Sequence, residues 1–399
     1  MTATAPSNGA GAATPPPRAR RRGALVVAAA ALLALVAVGV LVWGLVRPEV
    51  VRPEDFGAAG DGRTDDTAAL QEALDALEPG QRLRLADGAT YAHSDVLVLT
   101  VPDVEVVGDA ELVATDEERS SFQVEADDVV LRDLVLSTPD TTQRWSSEDQ
   151  QRLLLRGTTG VEVRDVTVRG SAAAGVFVSG ASSDFLLDGV RVEDTRADGI
   201  HITQGSTDGR VVDVSTEGTG DDGVAVVSYA QDGAACARIE VVSPVVRGSA
   251  ARGVSVVGGE DVSWEDVDVA GTGAAGVYIA TEGDPYFTTS TSGVVVDGGS
   301  VVDANTDTEI DHGAVLLYDG SDDSELSDVV VRDLEVTGTR ESASRQVGVI
   351  GDQTVTGVEL VDISVEGGPE ALLSDPAAEG AVVEGWTLDG EDVDPLVGG

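Results

Sequence analysis

The chain has 399 residues, 71 of them acidic against 25 basic, with no lysine and a formal charge of −46. So acidic a surface excludes nucleic acid as a partner, because phosphate binding needs a basic face. The lone Cys236 excludes an intrachain disulfide, and His93, His201 and His312, without an HExxH or paired cysteines, offer no zinc site.

Residues 1–23 are small and Pro-rich and read as a disordered cytoplasmic tail ending in Arg18, Arg20, Arg21 and Arg22. Residues 24–46 are uncharged, and as a helix they span about 34 Å, enough for a bilayer core. A cleaved signal peptide is the rival reading, but its apolar region is shorter and ends in small residues, whereas this run ends in LVWGLVRP. The expectation is a transmembrane signal anchor with the arginines inside and everything after a 47–54 linker outside. The expected localisation is therefore a single pass through the cell membrane.

Residues 54–77, EDFGAAGDGRTDDTAALQEALDAL, read as a strand, a Gly-rich turn and a helix over 65–77. Asp65 or Asp66 is its N-cap, and Ala69, Leu70, Ala73, Leu74 and Leu77 form its apolar stripe. A helix here covers the open end of the sheet that comes after it.

The rest of the chain is built on a repeat. AGVFVSG (174–180), DGIHITQG (198–205), DGVAVVSY (222–229), RGVSVVGG (252–259) and AGVYIATE (275–282) are one phrase, with weaker copies at 312–320 and 347–353. Its alternation of apolar and polar residues has the two-residue period of a strand. Between the phrases lie pairs of Val, Leu or Ile bursts around a polar corner, such as VEVRDVTVRG (161–170). Three short strands per coil of about 23 residues predict an all-β domain over 55–399. It is a right-handed parallel β-helix of roughly ten to twelve coils with an N-terminal capping helix.

The string FGAAGDGRTDDTAALQEALDAL, taken with the coils, resembles the opening motif of the pectate-lyase-like superfamily, nearest to polygalacturonase-type glycoside hydrolases. That superfamily holds hydrolases, lyases, epimerases and non-catalytic modules, so the resemblance speaks for the fold more than for an activity.

Because the phrases are in register, the residues before their glycines form a ladder: Ala174, Asp198, Asp222, Arg252, Ala275, His312, Val347. Coils about 4.8 Å apart make Asp198 and Asp222 neighbours, with Asp221 beside them and Arg252 one rung on. Carboxylates so close cannot all ionise freely, which puts an acid and a base in one place, as glycoside hydrolysis requires. Solvated turn aspartates would give the same letters.

The resemblance implies more. Asp198-Gly199 and Asp221-Asp222 match the family's Asp-Gly and Asp-Asp motifs, one coil apart, whose aspartates share the acid and water-activating roles with inversion. The family's Asn and Thr before the first Asp are here Arg196 and Ala197. Its His-Gly is Arg252-Gly253, and its Arg-x-Lys is Tyr278-Ile279-Ala280. The missing basic residues are those expected to grip a uronate.

His201, Gln204, Tyr229, Tyr278 and Glu282 are the candidate substrate contacts, the tyrosines as platforms for sugar faces. Three functions stay open. The leading one is cleavage of glycosidic bonds in a polysaccharide by Asp198, Asp221 and Asp222, with Arg252 orienting substrate. The second is a lyase or epimerase in which Arg252 abstracts a proton and Ca2+ sits on the aspartates. The third is a non-catalytic glycan-binding module. No cofactor is required by the sequence; calcium on carboxylates stays open, although no GGxGxDxUx repeat recurs.

Overall fold

Alternate residues of a strand face opposite sides, and the repeated phrases use this to build one wall of the molecule. The computed structural model describes residues 50–351, 355–370, 372–374 and 378–395. Within them eleven short strands pair in parallel, in chain order, into one sheet. The register runs Val176↔Ile200↔Val224↔Val254↔Val277↔Val315↔Val347. These seven side chains point inward and are at most 1% exposed, each contributing ~1.5–3 kcal/mol by leaving water. The next rung, Phe177, His201, Ala225, Ser255, Tyr278 and Leu316, faces outward.

A 22-stranded sheet forms the remaining sides. Near its start single strands, Glu105–Ala114 and Val130–Ser137, run through both sides. In the middle coils it has two strands per coil, as expected: Glu162–Arg164 and Thr167–Ser171 pair with Leu186–Asp188 and Arg191–Thr195. From Gly259 onward the two fuse into twelve-residue strands, Gly259–Ala270, Thr291–Val302, Leu326–Thr337 and Val355–Glu366. The corner survives inside three of them as a left-handed residue, Asp266, Asp333 or Asp362, at φ 51°, 53° and 54°. Fifteen described aspartates have positive φ, a conformation Asp tolerates because its side chain bonds locally to the backbone. Part of the acidity is therefore corner geometry. The whole is a parallel β-helix, with Trp264 in its core at 1% exposure.

The first coil is covered by the helix Thr67–Asp75, shorter at both ends than 65–77, with Leu70, Ala73 and Leu74 buried beneath it. Asp66 occupies the N-cap position but does not cap the helix. Its carboxylate accepts instead from Ala59 N–H (2.6 Å) and Gly60 N–H (3.0 Å), and Asp65 accepts from Thr67 N–H at 3.1 Å. No helix among the described residues is long and apolar enough to cross a membrane. The anchor expected at 24–46 lies outside the described residues.

The recurring glycine has a steric cause. A Cβ on Gly175, Gly199, Gly223 or Gly253 would lie 2.8, 2.6, 2.6 or 2.5 Å from the carbonyl oxygen of the matching glycine one coil on. None of the four has positive φ, so close approach of coil to coil, and not backbone freedom, selects glycine. Gly223→Ala is expected to cost about 1–3 kcal/mol, the usual penalty of overpacking. Its Cβ would also meet Val246 Cγ1 at 2.5 Å. Denaturant unfolding checks this, and an unchanged midpoint would contradict it.

Candidate active site

The aspartates stand just ahead of the strands of the eleven-stranded sheet. Asp198 precedes Ile200–Ile202, Asp221 and Asp222 precede Val224–Val227, and Arg252 precedes Val254–Val257. The register places Asp198, Asp222 and Arg252 on one line, and each carboxylate caps the backbone above it. Asp222 N–H donates to Asp198 Oδ1 at 2.9 Å, and Arg252 N–H donates to Asp222 Oδ1 at 2.9 Å. Two coils before Asp198, Gln151 Oε1 receives Ala174 N–H at 2.8 Å in the same way. The ladder is thus structural as well as chemical. Asp221 takes no part in it, and its side chain, 25% exposed, is the open member of the trio.

The second oxygens of the two ladder aspartates have different partners. Asp198 Oδ2 lies 2.6 Å from His201 Nδ1, whose ring stacks on Phe177 at 5.0 Å. Asp222 Oδ2 accepts from Ser255 Oγ at 2.6 Å. Arg252 Nη1 is 3.5 Å from Asp222 and 3.8 Å from Asp221, and Nη2 donates to Glu282 Oε1 at 3.1 Å. Arg144, from the segment between strands Val130–Ser137 and Leu153–Arg156, reaches over to Asp221 Oδ2 at 2.7 Å. With Tyr229, Tyr286 and Thr288 these groups line a cavity of about 290 Å³.

These surroundings drive the two buried carboxyls apart. Burial is the largest influence on both and favours the neutral form. In Asp198 the His201 bond, the Asp222 N–H and nearby Arg144 overcome it and hold the group below the ordinary range. In Asp222 burial wins over Arg252, with the charges of Asp198 and Asp221 adding to it, and pushes the group up to about 7. Two carboxyls whose proton affinities are driven in opposite directions therefore share one cavity, the pattern of a base and an acid.

The nine residues singled out from sequence divide clearly. Asp198, Asp221, Asp222, Arg252, His201, Tyr229 and Glu282 converge on the cavity. Gln204 does not. It sits in a left-handed turn at φ 53°, and its Oε1 accepts Gly180 N–H at 3.1 Å, because the chain has already turned away from the sheet. Tyr278 faces outward but is only 2% exposed: Arg252 covers its ring at 4.5 Å, His312 stacks on it at 5.4 Å, and its hydroxyl donates to Glu282 at 2.9 Å. It positions Arg252 and Glu282 and leaves no face for a sugar. The surroundings of Arg252 favour its charged form, which disfavours a proton-abstracting role. Burial opposes its charge, but Asp222, Glu282 and Asp221 outweigh burial and hold it above the ordinary arginine range. Sequence reading missed Ser255 and Arg144. Ser255 was accessible, being on the outward line of His201 and Ala225; Arg144 sends no such signal, because it lies on an earlier coil.

One oxygen from each of Asp198, Asp221 and Asp222 lies within 4.8 Å of the others, a spacing that could hold a metal ion. Arg144 and Arg252 already bring positive charge to these carboxylates, which competes with a cation.

Coils and capping helix together define a parallel β-helix, with an acidic cleft on its eleven-stranded wall. Residues 51–278 match the family described as Rhamnogalacturonase A/epimerase, pectate lyase-like, and the chain belongs to that family. No curated protein matches it significantly in sequence. Among solved structures, the catalytic domain of a GH87 alpha-1,3-glucanase in complex with tetrasaccharides is similar over 88% of this chain and 69% of its own, at 16% identity and TM-score 0.63. The Agl-KA catalytic domain is similar over 86% and 68%, at 16% identity and TM-score 0.69. The A-module of the Azotobacter vinelandii mannuronan C-5 epimerase AlgE4 is similar over 83% and 99%, at 16% identity and TM-score 0.57. At such identity these likenesses establish the fold alone.

A raised carboxyl has a consequence for stability. The unfolded Asp222 ionises near 3.8 and the folded one near 7. Its contribution is complete below the lower value and is lost as pH rises through the upper one. Asp222→Asn is therefore expected to gain stability relative to the parent between about pH 4 and pH 7, in thermal melts across that range. A gap between the two proteins that does not change with pH would contradict the assignment.

Proposed function

We propose that the chain is a glycoside hydrolase acting on a polysaccharide. The observation that carries this reading is the convergence of Asp198, Asp221 and Asp222 on one cavity, where their surroundings raise the proton affinity of Asp222 and lower that of Asp198. Asp222 gives its proton to the glycosidic oxygen as the C–O bond breaks. Asp221, held by Arg144 and helped by Asp198, takes a proton from the water that attacks the anomeric carbon. Arg252, anchored by Glu282 and Tyr278, orients substrate. The same reading places the β-helix outside the cell, tethered by residues 24–46, on the strength of the sequence of that segment alone.

A non-catalytic glycan-binding module is the second reading, favoured by the capping role of Asp198 and Asp222, which would retain both residues without any chemistry. A lyase or epimerase fits less well, since Asp222, Glu282 and Asp221 favour the charged form of Arg252.

The test offers the full-length protein neutral glucans, including an alpha-1,3-glucan, together with polygalacturonate and alginate. Reducing ends and the ultraviolet absorbance of unsaturated uronates are followed together. The expected result is reducing ends without unsaturation, with Asp222→Asn slower by about 10²–10⁴-fold. Unsaturated product would transfer the case to a lyase. Binding without turnover would support the module.

A further inference from the structure

The cleft has two walls. On the side of the strand starts stand the aspartates and Arg144. On the side of the strand ends stand Tyr229, Glu282 and the segment Gly283–Ser290. That segment carries the only exposed aromatic rings among the described residues, Tyr286 at 57% and the adjacent Phe287 at 50%. The other described aromatics are buried or half-buried. Leaving two large rings about half exposed forgoes part of the stabilisation their burial would bring, and Phe287 adds strain at φ 49°, rare for a bulky residue.

The segment is also tightly held. Tyr286 and Phe287 N–H both donate to Gly283 O, at 2.8 and 2.9 Å. Thr288 N–H donates to Glu282 O at 2.9 Å, and its Oγ1 receives Glu282 N–H at 2.8 Å. Phe287 O accepts Ala230 N–H at 2.8 Å, and Thr289 N–H reaches Ser228 O at 2.9 Å. The rings are thus presented by a backbone fixed to Glu282, the residue that also holds Arg252 and Tyr278. Of the pair, Tyr286 lines the cavity that contains the aspartates.

We propose that Tyr286 is a sugar-stacking platform, binding the C–H face of a pyranose ring of the glycan beside the three aspartates, with Phe287 extending the apolar surface. This rests on the proposed function for the position of the scissile bond, but not for the binding itself. A ring face offers an apolar, rigid surface of low entropy cost, suited to the C–H face of a sugar whatever its linkage. It takes over the part that the buried Tyr278 cannot play.

Full-length Asp222→Asn protein, and the same protein carrying Tyr286→Ala or Tyr286→Phe, would be applied to an array of neutral and uronate oligosaccharides, with affinities then measured by calorimetry on the best binder. Tyr286→Ala is expected to weaken binding about ten-fold, while Tyr286→Phe, which keeps the ring, stays within about two-fold. In an Asp222-containing background that turns substrate over, the loss appears in KM more than in kcat. Equal binding by the parent and Tyr286→Ala overturns the platform, and so does the absence of binding to every glycan on the array. Ring-dependent binding without hydrolysis would uphold the platform and overturn the proposed function instead.

Discussion

The molecule depends on the contact between the backbone of one coil and that of the next at the start of each strand in the eleven-stranded sheet. There a glycine lies so close to the following coil that a Cβ would collide with a carbonyl oxygen. This closeness fixes the register, and register decides everything placed on the wall. A slip of one residue would turn the inward valines outward and disperse the polar line that precedes them. The chemistry is therefore a by-product of stacking: residues 24 and 30 positions apart in sequence become neighbours because their coils have nowhere else to sit.

Stacking like charges costs free energy, and the cleft offsets that cost locally. His201 takes one oxygen of Asp198, Ser255 one of Asp222, and Arg144 and Arg252 bracket Asp221. Asp222 remains the group for which compensation is incomplete, and burial raises its proton affinity. A purely structural ladder does not need this arrangement, since Gln151 caps Ala174 N–H with a neutral amide. Two buried carboxyls whose proton affinities are driven in opposite directions go beyond what capping requires.

The fold was largely legible because its signal is repeated. A strand period, recurring glycines and a capping helix point to the same architecture, and only the fusion of paired strands in the first and the later coils left no mark in the pattern. The trio of aspartates was legible for the same reason, being a matter of register. Inferences from facing direction alone failed. Tyr278 faces outward yet is covered by Arg252 and His312 from neighbouring coils, and Gln204 lies past its strand in a turn that carries it away. Arg144 was invisible because it crosses from another coil on a segment with no periodic pattern, and such contacts are written only in three dimensions.

The central claim is that one proton, held by Asp222 among three stacked carboxyls, is the proton the reaction uses. The dependence of kcat on pH tests it most directly, compared between the parent and Ser255→Ala on whichever glycan is turned over. In the parent, kcat is expected to fall as pH rises through about 7, as Asp222 loses its proton. Ser255 Oγ–H donates to the charged form, so its removal is expected to move that fall to higher pH. A profile that is flat through this range, or a limb indifferent to Ser255, would show that Asp222 is not the acid.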